Sequence, residues 1–244
     1  MPSSKYLLLC FYQILVLSGL ALYKLSLSVL LKEPSPICLI REENQMQYHA
    51  VNGRCAVHIP SLNLPITRIE ALGLLKSLGF VITQVDMSML ARSCVGQSEY
   101  QLGVQAQDAP KRVDCSSLTK WLYAQRGIWI PRLSIQQRMY GVRVNCQDVR
   151  VHDLVFTTGV HNFYETDPTD TVGHVGIVTS PTTVVHAVSV RTGVRETSIH
   201  NFIKKNFRGA CRIIHDTHVL TLLTPNHLTI ESSDDVRWLL LKHL

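Results

Sequence analysis

Apolar residues run almost unbroken from Tyr6 to Tyr23, interrupted only by Gln13, Ser18 and Gly19, and the apolar character resumes beyond Lys24 through Leu31. A helix needs about 20 residues to cross a hydrocarbon core about 30 Å thick, so residues 6–31 predict a membrane anchor or an uncleaved signal. A cleaved signal is the competitor, although no clean small-x-small site precedes Lys24; a buried helix is the remaining reading. From Lys32 to Pro65 no period is sustained, and prolines stand at 34, 36, 60 and 65. This stretch reads as a linker with strand-like pieces such as Arg54 to Ile59. Thr67-Arg68-Ile69-Glu70 then forms a capping box opening a helix that runs to Leu78 and stops at Gly79. Its Ile69, Leu72, Leu75 and Leu78 are spaced for one buried face.

A second helix is signalled by Asp86 as N-cap, with Met89, Leu90 and Val95 inward and Gly96 as stop. A third opens at Asp114, covers Cys115 to Arg126 and ends at Gly127, with Leu118, Trp121 and Leu122 as its inward stripe. The pattern then changes. Val151 to Thr157, Val172 to Thr179 and Thr183 to Val190 are short β-branched segments, and Ser180-Pro181-Thr182 reads as a hairpin tip between the last two. Ala210 to Ile214 predicts a further strand. A final amphipathic helix is capped near Ser233, with Asp234 and Asp235 in its first turn and Lys242 and His243 in its last. Helices followed by a run of strands predict an α+β fold with an antiparallel sheet.

With 46% hydrophobic and 17% charged residues, the chain can bury a core and is not broadly disordered. A formal net charge of +6 suits a polyanionic neighbour such as an anionic membrane face or cell wall. The basic residues are scattered rather than clustered, so no nucleic-acid partner is expected. Seven cysteines, at 10, 38, 55, 94, 115, 146 and 211, form no CxxC pair, which points away from a zinc ribbon or a thioredoxin-like site. Cys38 and Cys55 could close a small loop in an oxidising compartment.

The chemistry gathers around Cys115. At the first helical position behind an Asp114 cap, its thiol faces unpaired backbone amides and the positive end of the helix dipole, which favour thiolate and fast reaction with thiol reagents. By itself such a cysteine is more often a buried structural one. A base is offered by His174, opening His174-Val175-Gly176-Ile177, with His186 twelve residues on across the predicted hairpin. If the register has no bulge, an even separation lets both rings point to one face, as direct or diagonal neighbours about 5–8 Å apart. Two histidines on a half-exposed sheet, or two metal ligands, are the alternatives.

Taken together, Asp114-Cys115-Ser116-Ser117-Leu118, Gly127-Ile128, Pro131-Arg132-Leu133-Ser134 with Gln136-Gln137, Asp153-Leu154-Val155-Phe156, His174-Val175-Gly176-Ile177, Val185-His186-Ala187 and Phe207-Arg208-Gly209-Ala210 resemble the NlpC-type (NlpC/P60) cysteine peptidases, in order and in spacing. Ser117 departs from the glycine usual two residues after the nucleophile, and Val160 to Asp170 is a longer polar loop than typical, one that could shape the cleft.

The resemblance implies a papain-like core, with N-terminal helices, a nucleophile at a helix N-terminus and an antiparallel sheet. It implies a Cys–His–His site of Cys115 as nucleophile, His174 as base and His186 as orienting group, without cofactor or metal. Tyr100 falls where the family places an oxyanion-side tyrosine, with packing as its alternative, and Ser116 is a second candidate for positioning substrate. The implied substrate is the peptidoglycan stem peptide, cut between D-glutamate and a diamino acid, which would place the protein at the cell envelope, secreted or membrane-anchored.

The domain reading is 1–32 apolar segment, 33–85 linker and small helical region, 86–215 peptidase domain, and 216–244 C-terminal strand and helix appendage. A papain-like amidase or acyltransferase, a catalytically silent wall-binding module, and an anchored structural protein dimerising through Cys38, Cys55 or Cys94 are the rivals. Asp153 reads as a turn residue, and His152, His161, His200, His215 and His218 as surface or loop residues.

Overall fold

The computed structural model describes residues 47–159, 171–204, 206–216 and 218–244. The apolar run 6–31, Cys38 and the loop 160–170 lie outside the described residues, and with them the expectations of an anchor, a Cys38–Cys55 loop and a cleft-shaping segment. Among the described residues no helix is long and apolar enough to cross a membrane.

In chain order the strands are β1 (Arg54–Val57), β2 (Val81–Thr83), β3 (Glu99–Tyr100), β4 (Arg112–Val113), β5 (Val142–Val144), β6 (Leu154–Thr158), β7 (Val172–Ser180), β8 (Thr183–Ser189), β9 (Gly193–Ser198), β10 (Phe207–Arg212) and β11 (Leu220–Leu223). The α-helices are α1 (Arg68–Ser77), α2 (Met87–Ser93), α3 (Cys115–Gln125), α4 (Ser134–Tyr140), α5 (Ile199–Ile203) and α6 (Ser233–Lys242). A six-stranded antiparallel sheet in the order β5-β10-β6-β7-β8-β9 forms the centre. The helices α2, α3 and α4 lie against β7, and α3 also touches β8.

The central strands are covered on both faces. Leu154, Phe156, Val175, Ile177, Val185 and Ala187 pack with Leu118, Leu122 and Tyr123 of α3 in one core. On the opposite face Val155, Val178 and Val184 meet Ile199, Phe202 and Ile203 of α5. A half-exposed sheet is therefore not what forms. The covering helix has only five residues, too few to show a period in sequence.

Residues read as a linker and a terminal appendage make a second, shared layer. Strand β11 lies between β1 and β2, and Cys55, Val57, Leu75, Leu222, Val236 and Leu240 form a core of their own with α1 and α6. Strands of three or four residues whose partners lie far off in sequence carry no local signature of pairing. The layer is tied to α3 at Gly127, whose carbonyl accepts from Ala56 N at 2.9 Å. Gly127 has φ +78°, and a Cβ there would sit 2.7 Å from the Cys55 carbonyl carbon.

The caps at Thr67, Asp86 and Asp114 stand where the sequence puts them. Two buried faces are rotated from expectation: Ala71 and Leu75 are inward while Ile69 is exposed, and Met87 and Ala91 are inward while Met89 is exposed. Neighbours across each helix, rather than the spacing of its apolar residues alone, choose which side is buried.

Candidate active site

The N-terminus of α3 is held by a network around Asp114. Its Oδ1 accepts from Ser117 N at 2.8 Å, and Ser117 Oγ accepts from Asp114 N at 2.7 Å, closing a capping box. Arg132 donates to both carboxylate oxygens and to Ser116 Oγ, and Gly103 N donates to Oδ2 at 3.0 Å. Burial alone would raise the Asp114 carboxyl, but the hydrogen bonds from Arg132, Ser117 and Gly103 outweigh it and hold the group below its usual range. Below this network Gln137, fully buried, donates to Ser116 O and Pro131 O and accepts from Thr119 Oγ1, so α4 braces the start of α3.

Cys115 occupies the first helical position, and its thiol lies 4.0 Å from the carbonyl of Gly173. Its sulfur thus sits against the backbone of β7 beside His174. The helix terminus by itself favours the thiolate and predicts a lowered thiol pKa. Instead burial, followed by the Asp114 charge, pushes it up to about 11, against backbone hydrogen bonds from Val175 and Ser116 and the charge of Arg132. Loss of water costs the thiolate more than the helix end returns.

The β7–β8 register places His174 and His186 diagonally across the pair, on the face covered by α5. His174 Nε2 and His186 Nδ1 are 2.8 Å apart, and the two rings meet edge to face. Phe202 packs on both, with centroids at 5.7 and 4.8 Å. Gly176 makes this possible, because a Cβ there would fall 2.3 Å from Val184 Cγ1 and 3.2 Å from the Phe202 ring. His186 Nε2 is 2.9 Å from Thr197 Oγ1. Burial lowers His174 to about 4; burial, then the charges of His174 and Arg195, lower His186 to about 3. Both rings are therefore neutral near pH 7. With His174 Nε2 engaged by His186, its Nδ1 is the nitrogen left for a proton from elsewhere.

Tyr100 is paired through β3 and β4 opposite Val113, one residue before Asp114. It is partly buried against the core that holds Cys115, and its hydroxyl is raised by burial, then by the charges of Cys115 and Asp114. Ser116 is otherwise placed than expected. Its hydroxyl is buried, donating to Asp114 Oδ1 at 3.3 Å and accepting from Arg132, so its side chain braces the cap instead of meeting a substrate. Asp153 accepts from Arg150 N and pairs with Arg212 through both oxygens, away from the histidines. His152 is no free loop residue, since its Nε2 lies 3.2 Å from Ser88 Oγ and burial lowers its pKa. Among the described residues no group of three His, Cys, Asp or Glu side chains is placed to hold a metal ion.

Arg132 and Gln137 stood in the sequence motif without a role, and Thr197 and Phe202 carried no signal. The partners Asp114, Ser116, His174 and His186 are 11 to 28 residues away from them in the chain, across strand pairs or a helix junction, beyond any local pattern.

A nucleophile-type cysteine at a helix start, packed against an antiparallel sheet that carries paired histidines, defines a papain-like α+β domain. Residues 96–212 match the NlpC/P60 family. A probable endopeptidase of Corynebacterium glutamicum is 36% identical over 110 residues, 45% of this chain and 45% of that protein, so the match spans less than half of the relative. Among solved structures, NlpC2 from Trichomonas vaginalis is 20% identical, covering 52% of this chain and 45% of its own, with a TM-score of 0.43. The peptidoglycan hydrolase RipB from Mycobacterium tuberculosis is 20% identical, covering 62% and 70%, with a TM-score of 0.42.

Proposed function

We propose that residues 86–215 are a cysteine peptidase domain that hydrolyses stem-peptide amide bonds of peptidoglycan, between D-glutamate and a diamino acid. The observation that carries this reading is the neutral His174–His186 pair, hydrogen-bonded at 2.8 Å, on the strand whose backbone touches the Cys115 thiol. The match of residues 96–212 to the NlpC/P60 family and likeness to a probable endopeptidase support the reaction class.

In this mechanism the thiol and imidazole are both neutral at rest. When the scissile carbonyl docks over Sγ, His174 Nδ1 takes the thiol proton as sulfur bonds to the carbonyl carbon. His186 Nδ1 accepts the hydrogen bond from His174 Nε2–H and so stabilises the imidazolium that forms, the part an acid plays in a serine-protease triad. The backbone amide of Cys115 and the hydroxyl of Tyr100 are the donors for the developing oxyanion, each worth about 3 kcal/mol in comparable sites. Collapse breaks the C–N bond, and the proton held by His174 goes to the leaving amine. Water, deprotonated by His174, then attacks the thioester and releases the new carboxylate and the free thiol.

The net charge of +6 suits an anionic wall, and the apolar run 6–31 would hold the protein at the cell envelope. The test is incubation of the full chain with purified peptidoglycan and mass analysis of soluble fragments. The native protein should release stem-peptide pieces, and Cys115→Ala should release none. Equal release from both would overturn the assignment, and binding without release from either would favour a silent wall-binding module.

A further inference from the structure

Resting on the hydrolase reading above, in which His174 Nδ1 takes the thiol proton, we propose that Thr197 is a positioning residue. Its hydroxyl oxygen, 2.9 Å from His186 Nε2, accepts that N–H and leaves His186 Nδ1 as the acceptor for His174.

A neutral imidazole carries one N–H, so the role of one ring nitrogen fixes that of the other. Two arrangements satisfy the chain Thr197–His186–His174. In one, His186 donates from Nε2 to Thr197 and accepts at Nδ1 from His174 Nε2–H, which leaves His174 Nδ1 with a lone pair. In the reverse, the Thr197 O–H donates to His186 Nε2, His186 Nδ1–H donates to His174 Nε2, and His174 Nδ1 carries hydrogen. Only the first can take a proton at Nδ1 and still donate from Nε2 with no hydrogen relocated. A hydroxyl that accepts selects it.

The placement follows from register. Val184 pairs with Thr197 and His186 with Arg195, so Thr197 is the diagonal neighbour of His186 on the same sheet face. The other sides of the His186 ring are taken. Phe202 of α5 packs edge to face on it, and Gly176 brings strand β7 close beneath. His186 is 8% exposed, so Thr197 is the partner within reach of Nε2 in a site that water scarcely enters. Thr197 itself is only partly buried and can pass its own hydrogen to solvent. The charged and titratable groups facing His186 are His174 from β7 and Arg195 from β9. The positive charge of Arg195 opposes a second proton on His186, which keeps the transferred proton on His174.

The experiment uses the full chain with 15N-labelled histidine rings, native and with Thr197→Val or Thr197→Ser, read by imidazole nitrogen chemical shifts beside release of fragments from purified peptidoglycan. Expected are Nε2-protonated His174 and His186 in the native protein, mixed tautomers in Thr197→Val, and the native pattern restored in Thr197→Ser. Thr197→Val should lose about tenfold in kcat with KM unchanged, and Thr197→Ser should stay within about twofold of native. Finding native His186 protonated on Nδ1 overturns the proposal without any variant. So does an unchanged tautomer or an unchanged kcat in a folded Thr197→Val protein. If native protein releases nothing from peptidoglycan, the hydrolase reading fails, while the ring shifts still decide the role of Thr197 at the pair.

Discussion

At His174 and His186 burial sets the protonation state, and with it a pH dependence whose direction can be worked out. In an unfolded chain both imidazoles take up protons near pH 6.5, whereas in the fold they do so only near about 4 and about 3. Between those limits the unfolded state binds more protons, so stability present above pH 6.5 is lost as pH falls through the folded values. The urea midpoint should therefore stay level from pH 8 to 7 and drop between 6.5 and 4. Replacing both histidines by glutamine should flatten that drop, and an unaltered slope would contradict the burial argument. The neighbouring thiol bears on reactivity in the same way. Cys55, Cys94, Cys115 and Cys211 are buried and Cys146 is exposed. A brief iodoacetamide pulse at pH 7.5, mapped by mass spectrometry, should label Cys146 well before Cys115; the opposite order would mean that Cys115 rests as a thiolate.

Single elements stand or fall on a few contacts that join them. Strand β7 can bring its histidine beside β8 and α5 only because residue 176 has no side chain. Gly176→Ala would press a methyl group into Val184, Phe202 and His186, at a cost of about 1–3 kcal/mol. Activity should fall beyond the loss of folded protein, since His186 Cβ would be 3.3 Å from the new atom; denaturation and kcat measured together separate the two. At the start of α3, Arg132→Met would leave Asp114 buried without its cation. Because Arg132 is about a third exposed, the loss should be about 2–3 kcal/mol, below the 3–5 typical of a fully buried pair. The caps and turns of these elements are readable from residues three or four apart. The choice of buried face at Ile69 or Met89 is not, because it depends on what another element offers.

Across the whole molecule, the packed clusters share the work of stability unequally with respect to function. Cys115 belongs to the core between α3 and the six-stranded sheet, His174 and His186 pack with Phe202 on the sheet's other face, and the three-stranded layer has a core of its own. Leu222→Ala, in the centre of that second core, should cost about 2–5 kcal/mol in urea denaturation. At temperatures where the variant remains folded its kcat should match the native value. A matching loss in kcat would mean that the layer shapes the site through the contact at Gly127, where its strand β1 meets the end of α3.

The residues at which chemistry is proposed, and the helix start and hairpin that carry them, follow from local chemistry: Asp114 is a good cap, Cys115 stands next to it, and a short turn joins the two strands that bear the histidines, although their sharing one face depends on the register shift between Val178 and Ser180. Tertiary structure alone decided the rest. It paired β11 with strands 138 to 169 residues earlier, buried Ser116 under Arg132, and set Phe202 and Thr197 around His186. It also reversed the expected shift of the thiol, because desolvation is a property of everything packed around an atom, and no run of neighbouring residues encodes it.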